Sequence, residues 1–476
     1  MNMRHRSHPL LAVAILFVLG SACLAQTQFP DTPAGNKAKA WLEVFNAGDA
    51  EKHKEFLRKN APSRLDRAER EMGLREMSGG FDVKKVEEST ASRIVALVQE
   101  RVSDQLVRFT MEVDANEPHQ ISKMSLQGIP RPTEFALPHL SESELIADLR
   151  KKMDDVAAAD RFSGAVLVAK NGKTVFANAY GLADREKKTP NTLKTRFRLG
   201  SMNKMFTAVA ALQLVQSGKL DLKAPFGNYL TDYPNKDVAS KVTIAQLLSH
   251  TGGTGDIFGP EFDKNRLELK SLQDYVKLYG NRAPEFEPGS RWQYSNYGFL
   301  LLGVLVEKVS GKSYYDYVQD HIFKPAGMTG TASEPEEQTV ADRSKGYTRF
   351  GGGGLKPNTE TLPYRGTSAG GGYSTVEDLL KFATALQTNK LLNSQYTEML
   401  TTGNTDTPLG GKYAYGFIDA NVNGTRCFGH GGGAPGMNGE LKICPGPGYV
   451  VAVLANLDPP AASRVADFIT NRLPLK

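Results

Sequence analysis

The chain has 476 residues, 40% hydrophobic and 23% charged, a composition that fits a soluble globular protein of two or three domains. Its formal net charge of +6 is too small on a chain this long to argue for a nucleic-acid partner. Beyond residue 25 no segment is long and apolar enough to cross a bilayer. With no Cys-x-x-Cys or Cys/His cluster and eight scattered histidines, the sequence offers no metal site.

Residues 1–25 read as a secretory signal peptide. Arg4 and Arg6 make a basic start, Leu10 to Leu19 is an apolar run too short for a stable anchor, and Cys23-Leu24-Ala25 supplies small residues at a cleavage site. This predicts export, to the periplasm or the medium. Cys23 raises a lipid-anchored alternative, against which stands Gly20 where a leucine is usual three residues earlier. Removal of the segment takes Arg4, Arg6 and Cys23, leaving Cys427 and Cys444.

Residues 26–130 form the next unit. Trp41, Leu42, Phe45 and Phe56 give helical periodicity over Lys37 to Lys59, and a second helix covers Arg67 to Met77, ahead of Ser78-Gly79-Gly80. Four strands are expected over 81–88, 92–100, 105–114 and 120–128. The third is clearest, because Val107, Phe109, Met111 and Val113 alternate with polar residues. Two helices followed by an antiparallel meander make an α+β layout. Element order and the run from Trp41 to Asp49 resemble the nuclear-transport-factor-like (SnoaL-like) cone fold. No catalytic constellation accompanies them, so a packing or recognition module, able to hold a protein partner, is expected.

A proline-bearing linker covers 131–140, and the second domain spans 141–476. Ser141-Glu142-Ser143-Glu144 matches a capping box opening a helix to about Ala158. Asn171-Gly172 marks a hairpin between strands over 164–169 and 174–177. Mixed helices and loops run to about Gly411, with the glycine run 351–354 as a surface loop. Strands over 425–430, 439–443 and 449–455 close the chain. Strands at both ends with helices between predict one antiparallel sheet built from the two termini and flanked by helices. The second-domain cysteines lie in strands either side of a turn near Pro435-Gly436, roughly opposite each other. In an oxidising compartment they can form a disulfide; the alternative is two small buried hydrophobes.

Ser201-Met202-Asn203-Lys204 carries the most chemistry. Gly200 ends an extended segment just before a helical pattern over 205–216. A serine at a helix's first turn meets unpaired backbone N–H groups, and a lysine three residues on shares its face. A cation there lowers the hydroxyl's pKa, and a neutral lysine takes its proton. Tyr294-Ser295-Asn296 follows the Glu287-Pro288-Gly289 turn; residues 294 and 296 point the same way on extended backbone. Tyrosine needs a nearby cation to act as a base, and Lys204 is the candidate to supply it. Asn296 offers an acceptor and donors to hold Lys204 and a substrate amide. In Phe428 to Gly436, a strand ending in Gly431-Gly432-Gly433 allows close backbone approach, where an N–H can join that of Ser201 in an oxyanion hole.

Ser201-x-x-Lys204, Tyr294-x-Asn296 and His430-Gly431-Gly432, in that order, resemble the three motifs of the penicillin-recognising serine hydrolases. The class C β-lactamase-related group, which includes serine esterases and D-peptidases, is the nearest. Residues 247–253 and 371–379 resemble that group too. The resemblance covers about 145–476 and implies a β-lactamase/transpeptidase-like fold. It implies that Ser201 is the acyl-accepting nucleophile, that Lys204 and Tyr294 share acid–base work, that Asn296 orients them, and that Ser201 and Gly433 N–H groups hold the oxyanion. It implies no metal or organic cofactor, and a small ester, amide or short peptide as substrate. His250 and His321 read as structural. One departure matters: the true β-lactamases and transpeptidases usually carry Lys-Thr-Gly where this chain has His430-Gly431-Gly432. Histidine is mostly neutral at pH 7 and Gly431 lacks a hydroxyl, so recognition of an anionic substrate group weakens. An exported esterase or D-peptidase is therefore expected ahead of a β-lactamase or a non-catalytic receptor.

Overall fold

The computed structural model describes residues 28–350, 354–408 and 410–475. The signal-peptide reading of 1–25 and most of the glycine run 351–354 lie outside them. The chain divides into two compact units: one of residues up to 68 with 81–99 and 108–127, the other of 69–80, 100–107 and 128–476.

In the first unit the helix expected over 37–59 is two helices, α1 (Pro33–Ala47) and α2 (Ala50–Asn60). Gly48, at φ 75, ends α1 in the left-handed conformation, and the Asp49 side chain caps α2 by accepting from the N–H groups of Glu51 and Lys52. Glycine at C′ and aspartate at an N-cap are each strong boundary signals, and together they outweigh a continuous apolar period. Helix α3 (Ala68–Ser78) follows in the chain, its residues from 69 on counted with the second unit. Strands β1 (Phe81–Ser89), β2 (Arg93–Glu100), β3 (Leu106–Val113) and β4 (Ile121–Ile129) make a four-stranded sheet in sequence order. Such short links between neighbours permit only antiparallel pairing. Phe45 and Phe109 stack on Trp41, with centroids 4.7 and 5.2 Å away.

From residue 128 on the chain lies in the second unit, where the capping box of α4 (Glu142–Ala158) forms as expected: Glu144 N–H donates to the Ser141 hydroxyl, and Ser141 N–H to the Glu144 carboxylate. The main sheet has eight strands, in the order 405–406, 412–413, 418–422, 425–434, 437–444, 449–455, β5 (Gly164–Lys170) and β6 (Lys173–Tyr180). Strand Tyr449–Ala455 pairs antiparallel with β5, so the two ends of this unit meet in the sheet's interior, as the sequence predicts. Asn171 and Gly172 both have positive φ, as the tight hairpin between β5 and β6 demands. In β5, Ala165, Leu167 and Ala169 pack into one apolar core with helix α5 (Asn203–Gln216), while Val166 and Val168 face a second core with α4 and helix Ala461–Thr470. Burial on both faces explains why β5 reads as an unbroken apolar run.

Strand Thr425–Ala434 extends past the expected end at His430. Its glycines are inside the ladder, Gly431 opposite Glu440 and Gly433 opposite Asn438, and the turn falls at Pro435-Gly436. Cys427 and Cys444, on these neighbouring strands, are joined by a disulfide.

Candidate active site

Helix α5 is buried from Asn203 to Leu212, polar residues included. A helix sealed on all sides belongs at the centre of a domain, and it carries Lys204 inside with it. Three consecutive carbonyls fix its start: Asn203 Nδ2 donates to Thr367 O (2.6 Å), Thr207 Oγ1 to Ser368 O (2.7 Å) and Lys204 Nζ to Ala369 O. Ser201 sits in the short turn Gly200–Met202 ahead of the helix, half-buried at an opening.

Lys204 Nζ lies 3.2 Å from Ser201 Oγ and donates to Asn296 Oδ1 at 2.7 Å. Its side chain is 0% exposed. Burial brings its pKa from 10.5 down to about 7, while Asp256 pulls the other way. Nζ stands over the rings of Tyr294 (4.7 Å to the centroid) and Phe299 (5.5 Å).

Tyr294 and Asn296 flank Ser295, which locks their segment. The Ser295 hydroxyl donates to Gly255 O and caps helix Asn296–Ser310 by accepting from Gly298 N–H. The Ser295 N–H donates to His250 Nδ1 at 3.1 Å. The Tyr294 phenol hydrogen-bonds Ser201, yet burial raises its pKa above the usual value. The expectation that Lys204 would lower Tyr294 is therefore not met: the amine faces the ring, and the phenol stays protonated.

The glycine strand Thr425–Ala434 forms the opposite wall. Alternation along it decides what each residue meets. A β-carbon at Gly432 would strike Leu199 O, and one at Gly200 (φ +55) would come within 3.0 Å of Gly433 N. Glycines here let the strand seat against the nucleophile's turn, and Gly433 is exposed beside it. Gly431 points to the other face, where a β-carbon would run into the Glu440 carboxylate.

His430 is 4% exposed. Gly431 O can only accept, so His430 Nδ1 donates to it, and Nε2 accepts from the Tyr413 hydroxyl at 3.0 Å. Burial, with Lys204 nearby, pushes its pKa down to about 3. The residue in the lysine position is thus a neutral, fully bonded part of the wall and supplies no cation. His250, also buried and held well below its usual pKa by burial, packs on Tyr294 at 4.3 Å and Tyr413 at 4.5 Å. His321 stacks on Tyr317 at 4.1 Å, away from these residues' contacts. Among the described residues no group of three or more His, Cys, Asp or Glu could hold a metal ion.

The structure therefore gathers Ser201, Lys204, Tyr294 and Asn296, with Gly432 and Gly433 against the nucleophile's turn. It adds one residue the sequence reading missed. Asp256 accepts from Asn296 Nδ2 with both carboxylate oxygens, at 2.9 and 3.1 Å, leaving the Asn296 carbonyl turned to Lys204. An acid after Gly252-Gly253-Thr254-Gly255 looks like an ordinary turn residue, and no spacing rule links it to Asn296.

Comparison with known proteins gives the family. The family model described as Beta-lactamase matches residues 147–475, and the chain belongs to that family. It is 31% identical over 293 residues to the penicillin-binding protein PbpX of Bacillus subtilis, covering 61% of this chain and 70% of that protein. With the teichoic acid D-alanine hydrolase of Staphylococcus aureus it shares 28% over 269 residues, 56% of this chain and 65% of that one. A penicillin binding protein structure from Bacillus halodurans superposes at TM-score 0.61 with 33% identity, over 66% of this chain and 97% of that one.

Proposed function

We propose that the protein is an exported serine hydrolase that cleaves ester or amide bonds through an acyl-enzyme on Ser201, with small esters or D-amino-acid peptides favoured over β-lactams. The observation that carries this reading is the buried Lys204 amine set between Ser201 Oγ and Asn296 Oδ1, with its pKa near neutrality. As a neutral amine it takes the Ser201 proton while Oγ bonds to the substrate carbonyl carbon. The N–H groups of Ser201 and Gly433 receive the developing oxyanion. The proton held by Lys204 passes to the leaving alcohol or amine as its bond to the carbonyl carbon breaks, beside the Tyr294 phenol that bonds Ser201, and Lys204 is again neutral. Water then attacks the acyl-serine carbonyl while Lys204 accepts its proton, and as the acyl–Oγ bond breaks Lys204 returns that proton to Ser201 Oγ.

Two observations support the ranking of substrates. No cation stands at 430, and one lost charge-assisted hydrogen bond to an anionic substrate group costs about ten- to a hundredfold in binding. The hydrolase relative's name also points to D-alanyl bonds. The disulfide is consistent with an oxidising compartment and so with export. The N-terminal unit, its interior occupied by stacked rings, is proposed as a SnoaL-like packing or recognition module.

The test is one panel on mature protein: p-nitrophenyl acetate, a chromogenic cephalosporin and a D-Ala-D-Ala peptide, each beside Ser201→Ala. Ester or peptide turnover that vanishes in the variant supports the reading. Equal rates in the two proteins would favour a receptor, and fastest hydrolysis of the cephalosporin would make it a β-lactamase.

A further inference from the structure

The acyl-transfer reading leaves one charge without a role. With His430 and His250 held neutral by burial and Lys204 acting as a neutral base, the polar groups linked to Ser201 include a carboxylate, Asp256, that makes no ion pair among the described residues. Asp256 is half-buried, at the edge of the buried segment 252–255. Its Oδ1 accepts from Ile257 N–H (2.7 Å) and Asn296 Nδ2 (2.9 Å), whereas Oδ2 accepts only the longer 3.1 Å bond from Asn296. Each carboxylate oxygen has two lone pairs, so Oδ2 keeps one to offer. The Arg282 guanidinium donates to the main-chain carbonyl of Asp256 and lies over the rings of Tyr279 and Tyr297. It makes no ion pair with the carboxylate among the described residues. Only the Asn296 amide group stands between the carboxylate and Lys204 Nζ, which is itself 3.2 Å from the nucleophile.

We propose that Asp256 recognises a primary ammonium on the acyl part of the substrate, so that the enzyme prefers aminoacyl esters and amides with a free α-amine. In such a substrate the ammonium is two bonds from the carbonyl carbon, a span that suits a carboxylate held one side chain away from the general base. Asp256 thus acts where the missing cation at 430 does not. The site selects a positive acyl group, and an anionic one is repelled. The inference rests on the proposed acyl-enzyme chemistry.

The test compares D-alanine p-nitroanilide with its N-acetyl derivative, in wild type, Asp256→Asn and Asp256→Glu, with p-nitrophenyl acetate and Ser201→Ala as controls. In wild type, kcat/KM for the free amine should exceed that for the N-acetyl compound by about ten- to a hundredfold, the worth of one charge-assisted contact. Asp256→Asn should bring the ratio to about one, chiefly through KM, and Asp256→Glu should keep most of it. Loss of Asn296 positioning alone would slow both substrates equally and leave the ratio unchanged, and that result overturns the proposal. So does a wild-type ratio of one or below. If Asp256→Asn does not fold, the same comparison is read in wild type from protection of Ser201 against a fluorophosphonate by D-alaninamide and its N-acetyl form; equal protection overturns it. If no ester or anilide shows Ser201-dependent turnover, the acyl-enzyme reading falls, and the inference with it.

Discussion

Aromatic rings crowd two regions of this molecule and do different work in each. In the first unit Trp41, Phe45, Phe81 and Phe109 stack on one another, with Phe45 and Phe81 centroids 5.5 Å apart. Their contribution is apolar burial. In the second unit Tyr294, Phe299, His250 and Tyr413 are as close, His250 to Phe299 being 5.0 Å, but two of these rings, Tyr294 and Phe299, lie against the Lys204 amine. There the same burial acts on a charge. It makes the protonated amine costly, and in the proposed reaction this gives Ser201 a base. Packing that only stabilises in one place tunes a proton affinity in the other.

The largest expected effect lies at the nucleophile. Ser201→Ala should lower p-nitrophenyl acetate turnover by about 10⁴- to 10⁶-fold, read by steady-state kinetics, and abolish fluorophosphonate labelling. Lys204→Met comes next, with a loss of about 10²- to 10⁴-fold in kcat/KM, the usual worth of a general base. Its stability should hold or rise, because an apolar chain of similar length replaces a buried amine. The gain has a pH window. Lys204's folded pKa, about 7, is below its ordinary 10.5, so between these values the unfolded chain holds more protons. Its penalty is full below about pH 7 and fades as pH rises toward 10.5. Urea unfolding of both proteins at pH 6 and 10 should show the variant's advantage shrinking with pH.

Trp41→Ala should behave in the opposite way, destabilising the first unit by about 3–5 kcal/mol in thermal or urea unfolding while ester turnover is retained. Loss of turnover in proportion to loss of structure would blur the comparison. The smallest effect is expected for Tyr413→Phe, which removes the donor to His430 Nε2 and leaves a buried acceptor unpaired, at about 1–3 kcal/mol.

Much of this was legible in the sequence for local reasons. The strands of both units, the Ser141 capping box and the Asn171-Gly172 hairpin are set by neighbours in the chain. Ser201 and Lys204 share a helical face for the same reason. What escaped depends on side-chain direction in three dimensions. Gly48-Asp49 was read through because the apolar period continued across it. Lys204 was expected to act on the Tyr294 hydroxyl, but it lies over the ring. His430 was expected to meet substrate, yet its two nitrogens are held by Gly431 and Tyr413. Asp256 reaches Asn296 across 40 positions of chain, a pairing that periodicity does not reveal.

The central claim is that burial makes Lys204 a neutral base near physiological pH, and the pH dependence of kcat/KM for p-nitrophenyl acetate tests it most directly, since that quantity reports the free enzyme. The account predicts a rate that climbs with pH and levels off above an apparent pKa of about 7. A rate still climbing toward pH 10, or one falling as pH passes 7, would contradict it.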